Sequence, residues 1–473
     1  MKKAKKSQWM FFSAWTVVYV LFTVWIGNYW LFAGLPVLFD IYISKVIPWE
    51  AWKKTKNRTL RKVYDWTDSI LFAFVAVYII NIFVFQMYQI PTSSLEKSLL
   101  VGDYLMVNKI SYGPRIPNTP LSFPLAQHTL PVLNVKSYIE YPQLKYKRLK
   151  GLGEVKRNDI VVFNFPAGDT VARKMENPDY YYSVNQYGRD NVNNNRHIFG
   201  EIIYRPVDRR ENYVKRCVGM PGDVLQIVND TVLIDGKALP FPKKVQLNYL
   251  VETNGAIWGE KEFEVFGVSR EDRTKNALIN HYRNAEPAFE SVGIEKNNDG
   301  SYNPVYDIPL TQEALAKISK SGRVRSIHKE TSAFQNVLYL PMPMYPYDYQ
   351  LGWTRENFGP LWIPGKDAKI ELNERNVALY RRCIVNYEGN TLDEKDGKYF
   401  INGKLASDYT FRYNYYFMMG DNRHNSQDSR SWGFVPEDHI VGKPIMTVFS
   451  LNKDKRGLNA IRWNRIFKTV STD

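Results

Sequence analysis

Three hydroxyl side chains stand together in residues 90–103, IPTSSLEKSLLVGD: Thr92, Ser93 and Ser94. A hydroxyl is a weak nucleophile at neutral pH and needs a base within hydrogen-bond reach. Histidine is the commonest such base, yet the six histidines are scattered and only His424 lies in a polar cluster. Lysine is the alternative. An amine acts as base only when neutral, so its pKa must fall from about 10.4, as burial among apolar neighbours can make it do. Lys215 has such neighbours: YVKRCVGMPGD (213–223) reads as an apolar strand ahead of a Pro-Gly-Asp turn. Taken alone, the segment fits a lysine on a surface strand edge equally well. Arg381 holds the similar slot in LYRRCIVNYEG (379–389), but a guanidinium does not deprotonate and is no base. The third stretch able to do chemistry is MMGDNRHNSQDSRSWGFVP (418–436). Its interleaved acid, amide, hydroxyl and arginine suit a buried hydrogen-bonded scaffold, or else a solvated turn.

Such groups need elements to hold them. The chain has 473 residues, 44% hydrophobic and 23% charged, with 15% aromatic. That is enough for two or three domains. The net charge of +15 is concentrated, for residues 1–62 carry 11 Lys/Arg against Asp40 and Glu50. Charge placed beside apolar runs is juxtamembrane charge and argues against a nucleic-acid partner. Residues 9–46 are almost wholly apolar. As one helix they would extend roughly 57 Å, nearly twice a hydrocarbon core of about 30 Å. Two helices with a turn near Gly27-Asn28 fit better; a re-entrant or interfacial segment over 29–46 is one alternative, and a cleaved secretory signal at the start is another, against which the long, aromatic run and the lack of an A-x-A site argue. A further span is expected over about 68–88, with Asp68 or Ser69 as its N-cap. Both basic stretches, MKKAKK and KKTKNRTLRK, belong on the cytoplasmic side. Everything after Tyr88 then lies outside the cytoplasm.

The expected division is a membrane region (1–46), a basic cytoplasmic loop (47–67), a transmembrane helix (68–88), a β-domain in two parts (89–242 and 376–473) and an inserted region (243–375). Short β-rich runs broken by Gly, Pro and Asn, such as 103–113, 159–166, 223–239 and 443–451, predict a mainly β fold. NQYGRDNVNNNR (185–196) reads as a loop. Residues 213–239 and 379–406 look like a duplicated strand–hairpin unit, which would set Lys215 against Arg381 and Cys217 against Cys383. Two cysteines exclude a disulfide framework, and a bridge between them requires that the fold make them neighbours. No spacing suggests a metal site.

In order, IPTSSLEKSLLVGDYLMVNKISYG, NDIVVFNFP, YVKRCVGMPGD and GDNRHNSQDSRSWGFVP resemble the motif set of type I signal peptidases, the membrane-anchored Ser/Lys endopeptidases of the bacterial leader peptidase family. The resemblance implies Ser94 as nucleophile and Lys215 as general base. It implies an oxyanion hole from the Ser94 N–H and the Thr92 hydroxyl, Ser426 orienting the amine, and Asp428 bracing the loop through Arg430 or Arg216. Asp421, Asn422 and Arg423 are read as structural. Substrate is expected as an added β-strand, with Tyr88, Ile90, Leu95, Tyr213 and Val214 as candidate pocket walls and ordinary core packing as the rival role for each. The partners implied are preprotein signal peptides emerging from the export machinery, and the lipid bilayer, with no cofactor, metal or nucleic acid. The placement implied is multi-pass in the cytoplasmic (inner) membrane, with the catalytic domain extracytoplasmic. The sequence departs from the family pattern at Leu95 (often Met), at Glu96-Lys97-Ser98 (often a Pro-Thr pair) and at Thr92 (Ser). Insertions around 114–155, 167–210 and 243–375 have no counterpart in the smallest members.

Overall fold

The computed structural model describes residues 4–49, 53, 55–123, 126–168, 170–176, 179–270, 273, 277–338 and 344–471. They form two compact units, residues 1–85 with 109–153, and residues 86–108 with 154–473.

In the first unit a helix, Lys6–Ile26, stops at Gly27, whose φ of 65° is left-handed. The chain turns back through three short helical pieces over Tyr29–Ser44. These run beside the first helix. Tyr19 Oη donates to the Leu31 carbonyl at 2.5 Å, and the Phe39 ring meets Phe12 at 5.6 Å and Trp9 at 6.4 Å. The next helix is Arg58–Phe83, not 68–88. Asn57, rather than Asp68 or Ser69, caps it by accepting from the Thr59 and Leu60 N–H groups. Much of the expected basic loop is therefore helical, and residues 85–89 leave the helix for a strand. Phe83 packs on Phe22 at 5.3 Å and Trp25 at 6.1 Å, so the two helices end at one level with their basic starts at the other. Both are long and apolar enough to cross a membrane, and Tyr29–Ser44 is shorter. Residues 109–153 form an irregular two-stranded arm bridged at Arg115/Arg148, Ser122/Tyr138 and Thr129/Lys136. Its Phe123 ring lies 5.3 Å from that of Phe74.

The second unit is built on an eight-stranded sheet. Its order is Phe85–Gln89, Asp103–Asn108, Ile440–Ser450, Ile160–Asn164, Asn212–Gly219, Tyr415–Met419 and Val435–Pro436, with Lys468–Thr469 also on Ile440–Ser450. Asp103–Asn108 alternates buried and half-buried residues, whereas every residue of Ile160–Asn164 is buried. The latter is a central strand and needs apolar residues on both faces. A second sheet joins Phe358–Trp362 to the hairpin Val224–Val228, Thr231–Ile234 and on to Lys237–Ala238. The insertion therefore ends before Phe358 rather than at 375. It is an α+β subdomain: strands Val305–Leu310, Leu247–Thr253 and Val324–Lys329 in that order, with an apolar cluster on each face.

Two expectations fail here. The duplicated unit is only half real. Asn212–Gly219 is a strand, but Glu374–Arg382 is an α-helix and its helical winding continues through Cys383–Tyr387. Asn373 caps it, and Val377, Tyr380, Ile384 and Tyr387 bury one face at helical spacing. The hairpins do match: Asp235-Gly236 and Asn402-Gly403 both take positive φ at the turn, as a two-residue hairpin demands. Cys217 and Cys383 are free and buried. The expected loop at 185–196 holds the end of helix Tyr180–Tyr187 and helix Arg189–Asn194. Asp179 caps the first, and Val192 anchors the second in a small core.

Candidate active site

Backbone bonds wind residues 93–99 into a tight turn: Glu96 N–H to the Ser93 carbonyl at 2.9 Å and Leu99 N–H to the Leu95 carbonyl at 2.8 Å. Leu95 and Leu99, each 1% exposed, pin that turn into the core. Lys215 lies on Asn212–Gly219, in register with Val161 of the neighbouring central strand. These two elements bring Lys215 Nζ to 2.5 Å from Ser94 Oγ. Ser94 is 8% exposed and Lys215 3%.

Burial is the largest influence on the amine and lowers its pKa from 10.5 to about 8. Asp428 and Asp421 work the other way, and Arg430 works with burial. At pH 7 about a tenth of such an amine is neutral, the form able to accept a proton from a neighbouring hydroxyl.

The loop after Tyr415–Met419 frames the pair with two buried ion pairs. Arg216 forks onto Asp421 at 2.7 and 2.8 Å, and both side chains are fully buried. Arg430 forks onto Asp428 at 2.9 and 2.8 Å. Of the two partners expected for Asp428, the structure gives Arg430. Asp428 also accepts from the Gly420 N–H at 3.1 Å; Arg430 and that N–H together hold its carboxyl below the usual range despite burial. Asn422 reaches the Ser94 turn directly, its N–H donating to the Ser94 carbonyl at 3.1 Å and its amide to the Ser93 carbonyl at 3.3 Å.

Ser426 is buried, but its hydroxyl donates to the Gln427 carbonyl at 3.4 Å rather than to Lys215. Thr92 is exposed, with no hydrogen bond among the described residues. Ile90 (3% exposed) and Leu95 sit in an apolar cluster with Leu105, Val107 and Ile160, and half-buried Tyr88 and Val214 pack against it. Tyr213 differs from the other four. Its ring stacks on Phe165 at 4.6 Å, meets Trp432 edge-on at 5.5 Å and lies 6.0 Å from Lys215 Nζ.

Sequence reasoning missed Ser98, whose hydroxyl donates to Asp421 at 2.5 Å. It also missed Gly420. A Cβ there would come within 2.2 Å of Ser426 Oγ and 2.6 Å of the Ser94 carbonyl oxygen. A hydroxyl four residues after Ser94 and a glycine opening the polar loop were visible signals, but only the fold joins them.

A serine held on a buried, partly deprotonated lysine within a curled β-sheet fits a serine endopeptidase that uses an amine in place of an imidazole, and the same chain carries two helices apolar and long enough to span a bilayer. The sequence matches the family described as signal peptidase, peptidase S26, over residues 63–286 and 363–449. That is more than half of the chain, and the chain belongs to this family. It is similar to the signal peptidase I of Buchnera aphidicola subsp. Acyrthosiphon pisum, 23% identical over 467 residues covering 95% of this chain and 97% of that protein. It is also similar to those of Haemophilus influenzae (23% over 428 residues; 88% and 79%) and Helicobacter pylori (24% over 425 residues; 87% and 94%).

Proposed function

We propose that the protein is a membrane-anchored endopeptidase that removes N-terminal signal peptides from exported preproteins after small residues. Ser94 is the nucleophile and Lys215 the general base. The observation that carries this reading is the 2.5 Å approach of Lys215 Nζ to Ser94 Oγ at a site that depresses the amine pKa. The neutral amine takes the Oγ proton as Oγ attacks the scissile carbonyl. It returns that proton to the departing amine nitrogen, which leaves an acyl-enzyme. It then takes a proton from water for deacylation. The Ser94 N–H and Thr92 hydroxyl receive the oxyanion. Ser426 and the Asp428–Arg430 pair hold the amine's surroundings, and the half-buried Tyr88, Tyr213 and Val214 shape the substrate groove over a core that Ile90 and Leu95 fill.

The helix Lys6–Ile26 and the returning segment cross the inner membrane as a hairpin, and Arg58–Phe83 crosses once more. The basic ends lie in the cytoplasm and the β-domain outside. A signal helix held in the same bilayer presents its cleavage site at the surface, which suits a nucleophile so soon after the last span.

The test uses detergent-solubilised protein and a preprotein with Ala at the first and third positions before the cut. Ser94→Ala and Lys215→Ala each lower the rate on the order of a thousand-fold or more. Arg381→Ala leaves it within about two-fold, since the Arg381 guanidinium serves a local bond to the Leu392 carbonyl. Comparable cleavage by Lys215→Ala would overturn the assignment of the base.

A further inference from the structure

The polar loop that frames Ser94 is itself held from outside. Gln246, at the start of the insertion, runs parallel to Asn422. Its N–H donates to the Asp421 carbonyl at 2.8 Å, and its carbonyl accepts from the Arg423 N–H at 3.0 Å. Asn248 Oδ1 accepts from the Asn425 amide at 3.1 Å. A second tie runs from the insertion to the nucleophile turn, where Ser269 donates to Glu96 at 3.4 Å.

At the centre of this joint is His424, whose side chain is fully buried. Nε2 lies 3.1 Å from Asp230 Oδ1, at the tip of the Val224–Ile234 hairpin. Nδ1 lies 3.3 Å from Glu330 Oε2, just past the last strand of the insertion, and 3.2 Å from the Asn248 backbone N–H. Lys329 faces Asp230 at 2.7 Å and Arg355 faces Glu330 at 3.6 Å. Nδ1 accepts from the Asn248 N–H and Nε2 donates to Asp230, so one side chain of the loop ties together the hairpin and the insertion. A histidine built only to fill space would need none of these partners.

We infer that His424 is a positioning residue, through which the inserted subdomain clamps the loop so that Asn422 stays on the Ser94 carbonyl. The insertion is then part of the machinery that sets the nucleophile. This rests on the reading of Ser94 as nucleophile given above.

The test uses the full-length protein in detergent, with the preprotein substrate. His424→Ala lowers kcat by about ten-fold or more while KM moves less than about two-fold, because the loop orients the nucleophile and does not bind substrate. Glu330→Gln, in the insertion, lowers kcat in the same direction. The double substitution is no worse than His424→Ala, as members of one joint are not additive. His424→Gln keeps a donor toward Asp230 and recovers part of the rate. Hydrogen exchange rises in residues 92–98 and 420–426 while the Ile160–Asn164 strand stays protected. Unchanged kcat in His424→Ala, or a uniform rise in exchange across the sheet, would overturn the clamp. Ser94→Ala is run alongside. If it still cleaves, the nucleophile is wrong, and the exchange pattern still decides the clamp.

Discussion

Lys215, the proposed base, opposes the fold that carries it. Its amine binds a proton less tightly in the folded chain, at about 8, than in the unfolded one, at 10.5. The unfolded state therefore holds more protons between those values, and stability rises with pH through that window. Below pH 8 the full penalty, on the order of 3 kcal/mol, is present. Lys215→Met should be inactive yet more stable at pH 7 by up to about that amount, and the gain should vanish above pH 10.5. Urea unfolding at the two pH values checks this. Cleavage by the intact protein should climb as pH rises through about 8, and a rate that is flat from pH 6 to 10 would count against a lysine base. Gly420 acts by absence. Gly420→Ala pushes a Cβ into the Ser94 carbonyl, so kcat should fall by about ten-fold or more while circular dichroism stays native-like.

At the scale of the elements, the decisive contacts are two forked ion pairs, Arg216–Asp421 from strand to loop and Arg430–Asp428 within the loop. Replacing one member of a buried pair strands the other charge, which costs about 3–5 kcal/mol. Asp421→Ala should therefore destabilise the protein by about that much, read from its urea midpoint. Ser98→Ala removes one bond to the same carboxylate and should cost about 1.5–3 kcal/mol. Here the legibility of the sequence can be judged. The strands at 103–108, 160–164 and 212–219 were readable because alternation or unbroken apolar runs mark them. Ser94 and Lys215 were readable only through ordered motifs. The helix at 374–387 resembles a second strand in sequence because Arg381-Arg382-Cys383 matches Lys215-Arg216-Cys217, whereas the Asn373 cap and the spacing of Val377, Tyr380 and Ile384 are helical. Ser98 and Asp421 are 323 residues apart, and no local pattern links such a pair. Glu330 and Asp230 were invisible beside His424 for the same reason.

At the scale of the whole molecule, the proposed orientation makes the β-domain accessible from one side of the membrane only. Protease added to spheroplasts should degrade the 154–473 unit, and protease added to inverted vesicles should leave it intact; the reverse pattern would refute the orientation. Between its two parts the family match skips residues 287–362, a stretch that includes two of the three strands of the inserted sheet and all of Phe358–Trp362. Finally, the two cysteines are buried and unbridged, and burial pushes both thiols well above their ordinary range. Neither presents a thiolate to an oxidant while the protein is folded. An oxidising compartment would thus leave the native chain alone and modify only molecules that have opened. Thiol reactivity becomes a clock for unfolding, and a cysteine engineered onto the surface would be the one site that a maleimide dye could mark.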